Sequence, residues 1–254
     1  MTQLSVNLNK VALVRNARGG GRPDVAALGR VCLDAGAAGL TLHPRPDGRH
    51  ALAADADALA AVAAEAGREL NVEANPFAPP AQTDGYAYPG LVEIARRARP
   101  AQATLVPDAA GQLTSDHGWD LARDGDRLRP VIEELKDLGC RVSLFVDADP
   151  ATVAAAAAVG ADRVELYTGP YAHAFADGHP APFLDRHRAS AEAARAAGLG
   201  VNAGHDLDLA NLGPYLAAVP GVDEVSIGQA LVADALERGL AAAVRAYLDV
   251  IGGA

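Results

Sequence analysis

Three side chains able to move protons stand out along the 254-residue chain: His43 in GLTLHPR, Glu73 in LNVEAN and His205 in VNAGHDL. Each lies at or just after the end of a short run that alternates as a β-strand does. Imidazoles and carboxyls serve as general bases and acids once their pKa values are tuned by burial and neighbours. His43 is also part of a local cluster. TLHPRPDGRH, residues 41–50, brings His43, Arg45, Arg49 and His50 together, although the net charge of the whole chain is −10. Cations concentrated in one place on an acidic chain suit an anionic group that must be held there. Arg45 and His50 are expected to meet it, and Arg49 to be solvated.

Short β-like runs must position these residues. They cover 4–9, 39–45, 70–75, 103–107, 141–147, 163–169, 200–204 and 224–229. Alanine-rich segments of helical periodicity lie between most of them, such as 24–37, 128–139 and 149–161. Gly139, Gly160 and Gly198 stand where a left-handed helix end belongs. Strict β/α alternation demands a parallel sheet with helical crossovers. Eight repeats in this length predict a (β/α)8 barrel, a TIM barrel, over 1–254 as a single domain. An open doubly wound sheet is the alternative, but no G-x-G-x-x-G follows the first run.

The alternation within the runs is informative. Leu4, Val6 and Leu8 share one face of the first, Ser5, Asn7 and Asn9 the other. The same split sets Leu40 and Leu42 against Thr41, His43 and Arg45, and Val72 against Asn71, Glu73 and Asn75. In a barrel the polar set points inward, where an unsatisfied buried group costs about 1–3 kcal/mol. The interior must therefore be a satisfied network or a wet pocket. Asn7, Asn9, His43, Arg45, Glu73, Asp147, Asn202, His205 and Gly228 all fall toward C-terminal strand ends, where active sites of this fold lie. Lys10, Arg15 and Arg18 add positive charge near the first strand end. Asp147 and Glu165 suit supporting or structural positions, and His117, His173, His179 and His187 solvated ones.

Composition excludes several classes. The acidic balance argues against nucleic acid or an anionic membrane as partner. The two cysteines, Cys32 and Cys140, have no metal-ligand spacing and read as buried small hydrophobes. No signal peptide or membrane span is legible, so a cytoplasmic location is expected. No metal triad stands out: Asn7 and Asn9 stand where a hydrolase barrel would carry His-x-His. Arginines beside histidines suggest phosphorylated small molecules and proton-transfer chemistry.

The ordered motifs SVNLNKVALVRNARGG, GLTLHPRPDGRH, LNVEAN, LVPDAAGQLTSDHGWD, VSLFVDAD, VELYTGPYA, GLGVNAGHDL and EVSIGQAL run nearly end to end. On them the chain resembles the pyridoxine 5′-phosphate synthase family. The resemblance implies a (β/α)8 barrel with extra helices, a homo-octamer, and no metal or organic cofactor. It implies condensation of 1-deoxy-D-xylulose 5-phosphate with 3-amino-2-oxopropyl phosphate in vitamin B6 biosynthesis. By motif, His43 and Glu73 correspond to proton acceptors and His205 to the proton donor. Arg45, His50 and Thr114 correspond to groups holding the ketose phosphate, with 107–120 as a closing lid. Asn7 and Arg18 correspond to contacts with the amino-ketone phosphate, and Gly228 with Gln229 to the site of the phosphate kept in the product.

Asn9, Lys10 and Asp206 fill further substrate-binding positions but depart from the usual family residues. Asn9-Lys10 replaces a common Asp-His pair, Asp206 a common glycine, and Gln229 a usual histidine. Glutamine donates a hydrogen bond to phosphate but carries no charge. That departure motivates the alternative of a non-catalytic phosphate-ligand binding paralogue. Retention of His43, Glu73 and His205 together favours the enzyme.

Overall fold

A computed structural model of the chain describes residues 1–83, 85–109, 111–112 and 114–254. The chain opens with β1 (Gln3–Asn7), α1 (Asn9–Asn16), α2 (Val25–Asp34) and β2 (Gly39–Leu42). Then come α3 (Ala53–Ala66), β3 (Glu69–Ala74), a hairpin of β4 (Ala81–Thr83) and β5 (Tyr86–Tyr88), and α4 (Leu91–Ala98). Strict alternation follows: β6 (Gln102–Leu105), α5 (Leu121–Asp137), β7 (Arg141–Val146), α6 (Pro150–Ala158) and β8 (Arg163–Tyr167). Two helices, α7 (Gly169–Ala176) and α8 (Ala181–Ala196), lead to β9 (Gly200–Gly204). The chain ends with α9 (Leu212–Ala218), β10 (Glu224–Ile227), α10 (Gln229–Arg238) and α11 (Leu240–Gly253).

Eight strands form a closed parallel barrel in the order β1-β10-β9-β8-β7-β6-β3-β2, so the fold is the expected (β/α)8 barrel. The apolar strand faces pack outward under the helices: Val6, Leu40, Val72, Leu144, Val164, Val201 and Val225 are wholly buried. Asp24, Asp120 and Asp149 cap α2, α5 and α6 by accepting from the N–H groups of Ala27, Arg123 and Thr152. The glycines expected at helix ends, Gly139, Gly160 and Gly198, do take positive φ.

Inside the barrel many of the polar side chains pair with one another. Ser5 and Thr41 share a hydroxyl–hydroxyl bond of 2.6 Å, and Thr104 donates to Asn71 at 3.0 Å. Nearer the N-terminal strand ends, Gln102 donates to Glu224 at 3.2 Å, and Arg163 to Asn202 at 2.8 Å. Asn202 therefore belongs to this lower layer rather than to the C-terminal mouth expected for it.

Several other expectations are corrected. β1, β2, β8 and β10 stop two or three residues short of the predicted runs, because α1, Pro44, α7 and α10 begin there. His43 and Arg45 thus lie just past a strand, on the loop it delivers. The β4–β5 hairpin lies outside all the predicted runs. Arg15 is turned away from the mouth by a two-pronged pair with Asp55. His187 is buried, not solvated: it lies 2 % exposed on α8, with Nδ1 3.0 Å from the Tyr215 hydroxyl.

Candidate active site

The C-terminal strand ends surround a cavity of about 390 Å³. His43 comes from the β2 loop, Glu73 from β3, Glu165 from β8 and His205 from just past β9, and all four line it. Asn7, Asn9, Lys10, Arg45, His50, Thr114, Asp206, Gly228 and Gln229 line it too. Arg18 does not: it is exposed, two residues beyond the end of α1.

The first strand sets the register of the site. The Asn7 side chain accepts from the Asn9 N–H at 3.0 Å and donates to Oε2 of Glu73 at 3.4 Å. Asn9 in turn accepts from the His43 N–H at 2.8 Å. One asparagine thus fixes the carboxyl, and the other the backbone that carries the imidazole. Nδ1 of His43 lies 3.9 Å from the same Glu73 oxygen.

Burial gives these groups their chemistry. Glu73 is pushed well above the usual carboxyl range, first by burial and then by Glu165, Asp108 and Glu224. Glu165 rises to about 8, again by burial and then by Glu224. His43 is driven the other way, by burial and then by the charges of Arg45 and His50. His50 falls to about 3 for the same reasons, with burial first and Arg45 second. A neutral imidazole beside a carboxyl that holds its proton tightly is a pair suited to passing protons in both directions. Nδ1 of His50 accepts from the Ala51 N–H at 2.9 Å, which leaves Nε2 as its N–H donor.

His205 sits on a backbone corner. It has φ +90°, and Asp206 follows at +57°. The Thr168 hydroxyl lies 2.6 and 2.5 Å from the carbonyls of Gly204 and His205, and Asn211 donates to the Asp206 carbonyl at 3.0 Å. Those contacts hold the strained turn in place. The His205 ring rests against Phe145 and Tyr167, and its Nε2 lies 3.3 Å from the Thr114 hydroxyl. The His205 imidazole holds the Asp206 carboxyl below its usual range. Just past the neighbouring strand β10, α10 begins at Gln229, so its first N–H groups open onto the mouth beside Gly228. A helix start of this kind favours an anion.

Over residues 4–253 the chain matches the family model described as "Pyridoxal phosphate biosynthesis protein PdxJ". The chain belongs to the PdxJ family. It is 58 % identical over 250 residues to pyridoxine 5′-phosphate synthase of Xanthomonas axonopodis pv. citri (strain 306), covering 98 % of this chain and 96 % of that protein. The enzyme of the same name from Xylella fastidiosa (strain 9a5c) is 52 % identical, covering 98 % and 95 %. Among solved structures, thiamine phosphate pyrophosphorylase from Pyrococcus furiosus is similar with a TM-score of 0.60 at 13 % identity, covering 99 % of this chain and 96 % of that one. Tryptophan synthase from M. tuberculosis gives 0.64 at 14 %, covering 98 % and 93 %. At that identity the likeness speaks for the barrel alone.

Two parts of this PdxJ-family site were not singled out in the sequence. Asp108, three residues past β6, is buried and forms an ion pair with Arg45. It stands in LVPD, where no alternation marks it. Arg49, expected to be solvated, lines the cavity, pairs with Asp47 and donates to the Gln112 carbonyl at 2.9 Å. Glu165 carries more than a supporting placement: it is 4 % exposed and its Oε2 has no hydrogen-bond partner. Asp147 is exposed outside the cavity, with Oδ1 3.3 Å from the Gly118 N–H.

Proposed function

We propose that the chain condenses 1-deoxy-D-xylulose 5-phosphate with 3-amino-2-oxopropyl phosphate to form pyridoxine 5′-phosphate, phosphate and water. The observation that carries this reading is the gathering of His43, Glu73 and His205 around one cavity, with the first two tuned in opposite directions. The kinship with pyridoxine 5′-phosphate synthases supports it.

The amine of one substrate attacks the ketone of the other, and a Schiff base forms with loss of water. Dehydration, phosphate loss and ring closure then each need a proton taken from one atom and given to another. His43, neutral in its buried setting, takes the first protons; Glu73, which rests protonated, gives up its own proton before it takes those of later steps. His205 returns them, with Thr114 at its Nε2. Arg45, His50 and Thr114 hold the ketose phosphate. Asn7 contacts the amino-ketone phosphate, and Asn9, Lys10 and Asp206 border the same space; Arg18, exposed outside the cavity, takes no part in this reading. The start of α10, at Gly228 and Gln229, holds the phosphate that stays in the product. Closure of 107–120, in which 110 and 113 lie outside the described residues, would keep water from the imine intermediates.

The same reading includes a homo-octamer in the cytoplasm. Leu13 and Val14 on α1 and Leu236 on α10 are exposed large apolar side chains, and Leu236 is 84 % exposed. They are suited to burial between copies of the chain.

Purified protein supplied with both phosphorylated substrates should release pyridoxine 5′-phosphate. No product at high enzyme concentration would defeat the proposal.

A further inference from the structure

Arg45 is already engaged on both of its terminal nitrogens. Nη2 pairs with Oδ2 of Asp108, and Nη1 donates to the Gln112 carbonyl at 2.8 Å. A phosphate arriving at this guanidinium therefore competes with a carboxylate. Two anions crowded on one guanidinium repel, which favours the departure of one.

The surroundings show where the carboxylate can go. Asn75 donates to the Asp108 carbonyl at 2.8 Å, so the backbone is pinned while the side chain retains its rotations. A second cavity, of about 320 Å³, adjoins the first and shares His43, Arg45 and Arg49 with it. Phe77, Ala78 and Pro79 make its apolar wall. Among the described residues, three buried side-chain atoms of residues that line it have no hydrogen-bond partner: Oδ1 of Asp108, Nε of Arg45 and the Tyr88 hydroxyl. Burial pushes the Tyr88 phenol pKa up, which keeps it an O–H donor. An orphaned donor and an orphaned acceptor on residues of one cavity wall mark an arrangement that a side-chain rotation can improve.

The geometry points to Asp108 as an exchangeable internal anion, displaced from Arg45 by a substrate phosphate into the second cavity, where Tyr88 receives it. This rests on the proposed function, which makes the ligand of Arg45 the ketose phosphate. Asp108 is a positioning residue here. Its Oδ2 lies 3.7 Å from Nε2 of His43, so its departure also takes a negative charge away from that imidazole once the phosphate has arrived.

The test compares the full-length wild type with Asp108→Asn, Tyr88→Phe and the double variant. Inorganic phosphate binding is read by calorimetry, counting the share that Arg45→Gln abolishes, and KM for the ketose phosphate is read by turnover. Asp108→Asn should bind phosphate about tenfold tighter and lower KM, whereas Tyr88→Phe should bind it about tenfold more weakly. In the double variant the Tyr88→Phe effect should vanish, since no carboxylate remains to be received. A purely structural role would weaken binding in both single variants and leave their effects additive. Unchanged or weaker binding in Asp108→Asn, or additivity, overturns the inference.

Should Asp108→Asn fail to fold, wild-type crystals soaked in phosphate decide. Phosphate on Arg45 with Asp108 turned to Tyr88 supports exchange. Phosphate beside an intact pair, or none at Arg45, overturns it. Phosphate binding needs no turnover, so binding as expected without product would defeat the proposed reaction and leave the exchange standing.

Discussion

Gly204 and Glu165 compete for one volume: a β-carbon at position 204 would lie 2.3 Å from Oε1 of Glu165. The glycine that ends β9 is thus what lets the β8 carboxyl reach the cavity. Gly204→Ala should displace Glu165, cut turnover and cost about 1–3 kcal/mol of stability. Urea denaturation and turnover on one preparation check both. A variant with wild-type turnover would show that Glu165 does not need that volume.

Glu73→Gln keeps the shape of the side chain and its contact with Asn7 while removing the exchangeable proton. Turnover should fall by about 10²–10⁴-fold, the range of general acid–base catalysis. Substrate binding, measured by calorimetry, should change little. Unchanged turnover would remove Glu73 from the proton path.

Gln229 begins α10 at the cavity mouth. Gln229→His should bind pyridoxine 5′-phosphate about three- to tenfold tighter at pH 6, where an exposed imidazole gains charge. Equal affinity would mean that the helix N–H groups alone supply that site.

The pKa of buried His187 is lowered to about 4, mainly by burial. Between pH 6.5 and about 4 the unfolded chain takes up a proton that the folded chain refuses. The contribution is therefore fully present above about pH 6.5 and is lost as pH falls toward 4. Its full size is roughly 3 kcal/mol. The drop in urea midpoint between pH 7 and pH 5 should be smaller in His187→Gln than in wild type. An equal drop in both would place the acid sensitivity elsewhere.

The barrel was legible because eight alternating runs separated apolar from polar faces without ambiguity, and the inward polar set pointed to the site. Each hairpin strand has three residues, too short for any period to show. His187 lies on an alanine-rich helix whose buried and exposed faces differ little in hydropathy, so its burial left no trace. Asp108 and the turn of Arg15 toward Asp55 are decided by partners 63 and 40 residues away, which no local pattern records. Asp206, in contrast, gains an explanation from the fold. Its position has φ +57°, where a glycine is the easy choice and an aspartate is tolerated.

That corner also limits how the site can drift. At 205 and 206 the backbone admits glycine readily and asparagine, aspartate and histidine at modest cost, while β-branched side chains are excluded. Few single substitutions there leave a side chain with a titratable proton. A descendant that lost the imidazole at 205 would therefore have to recruit its proton donor from another strand.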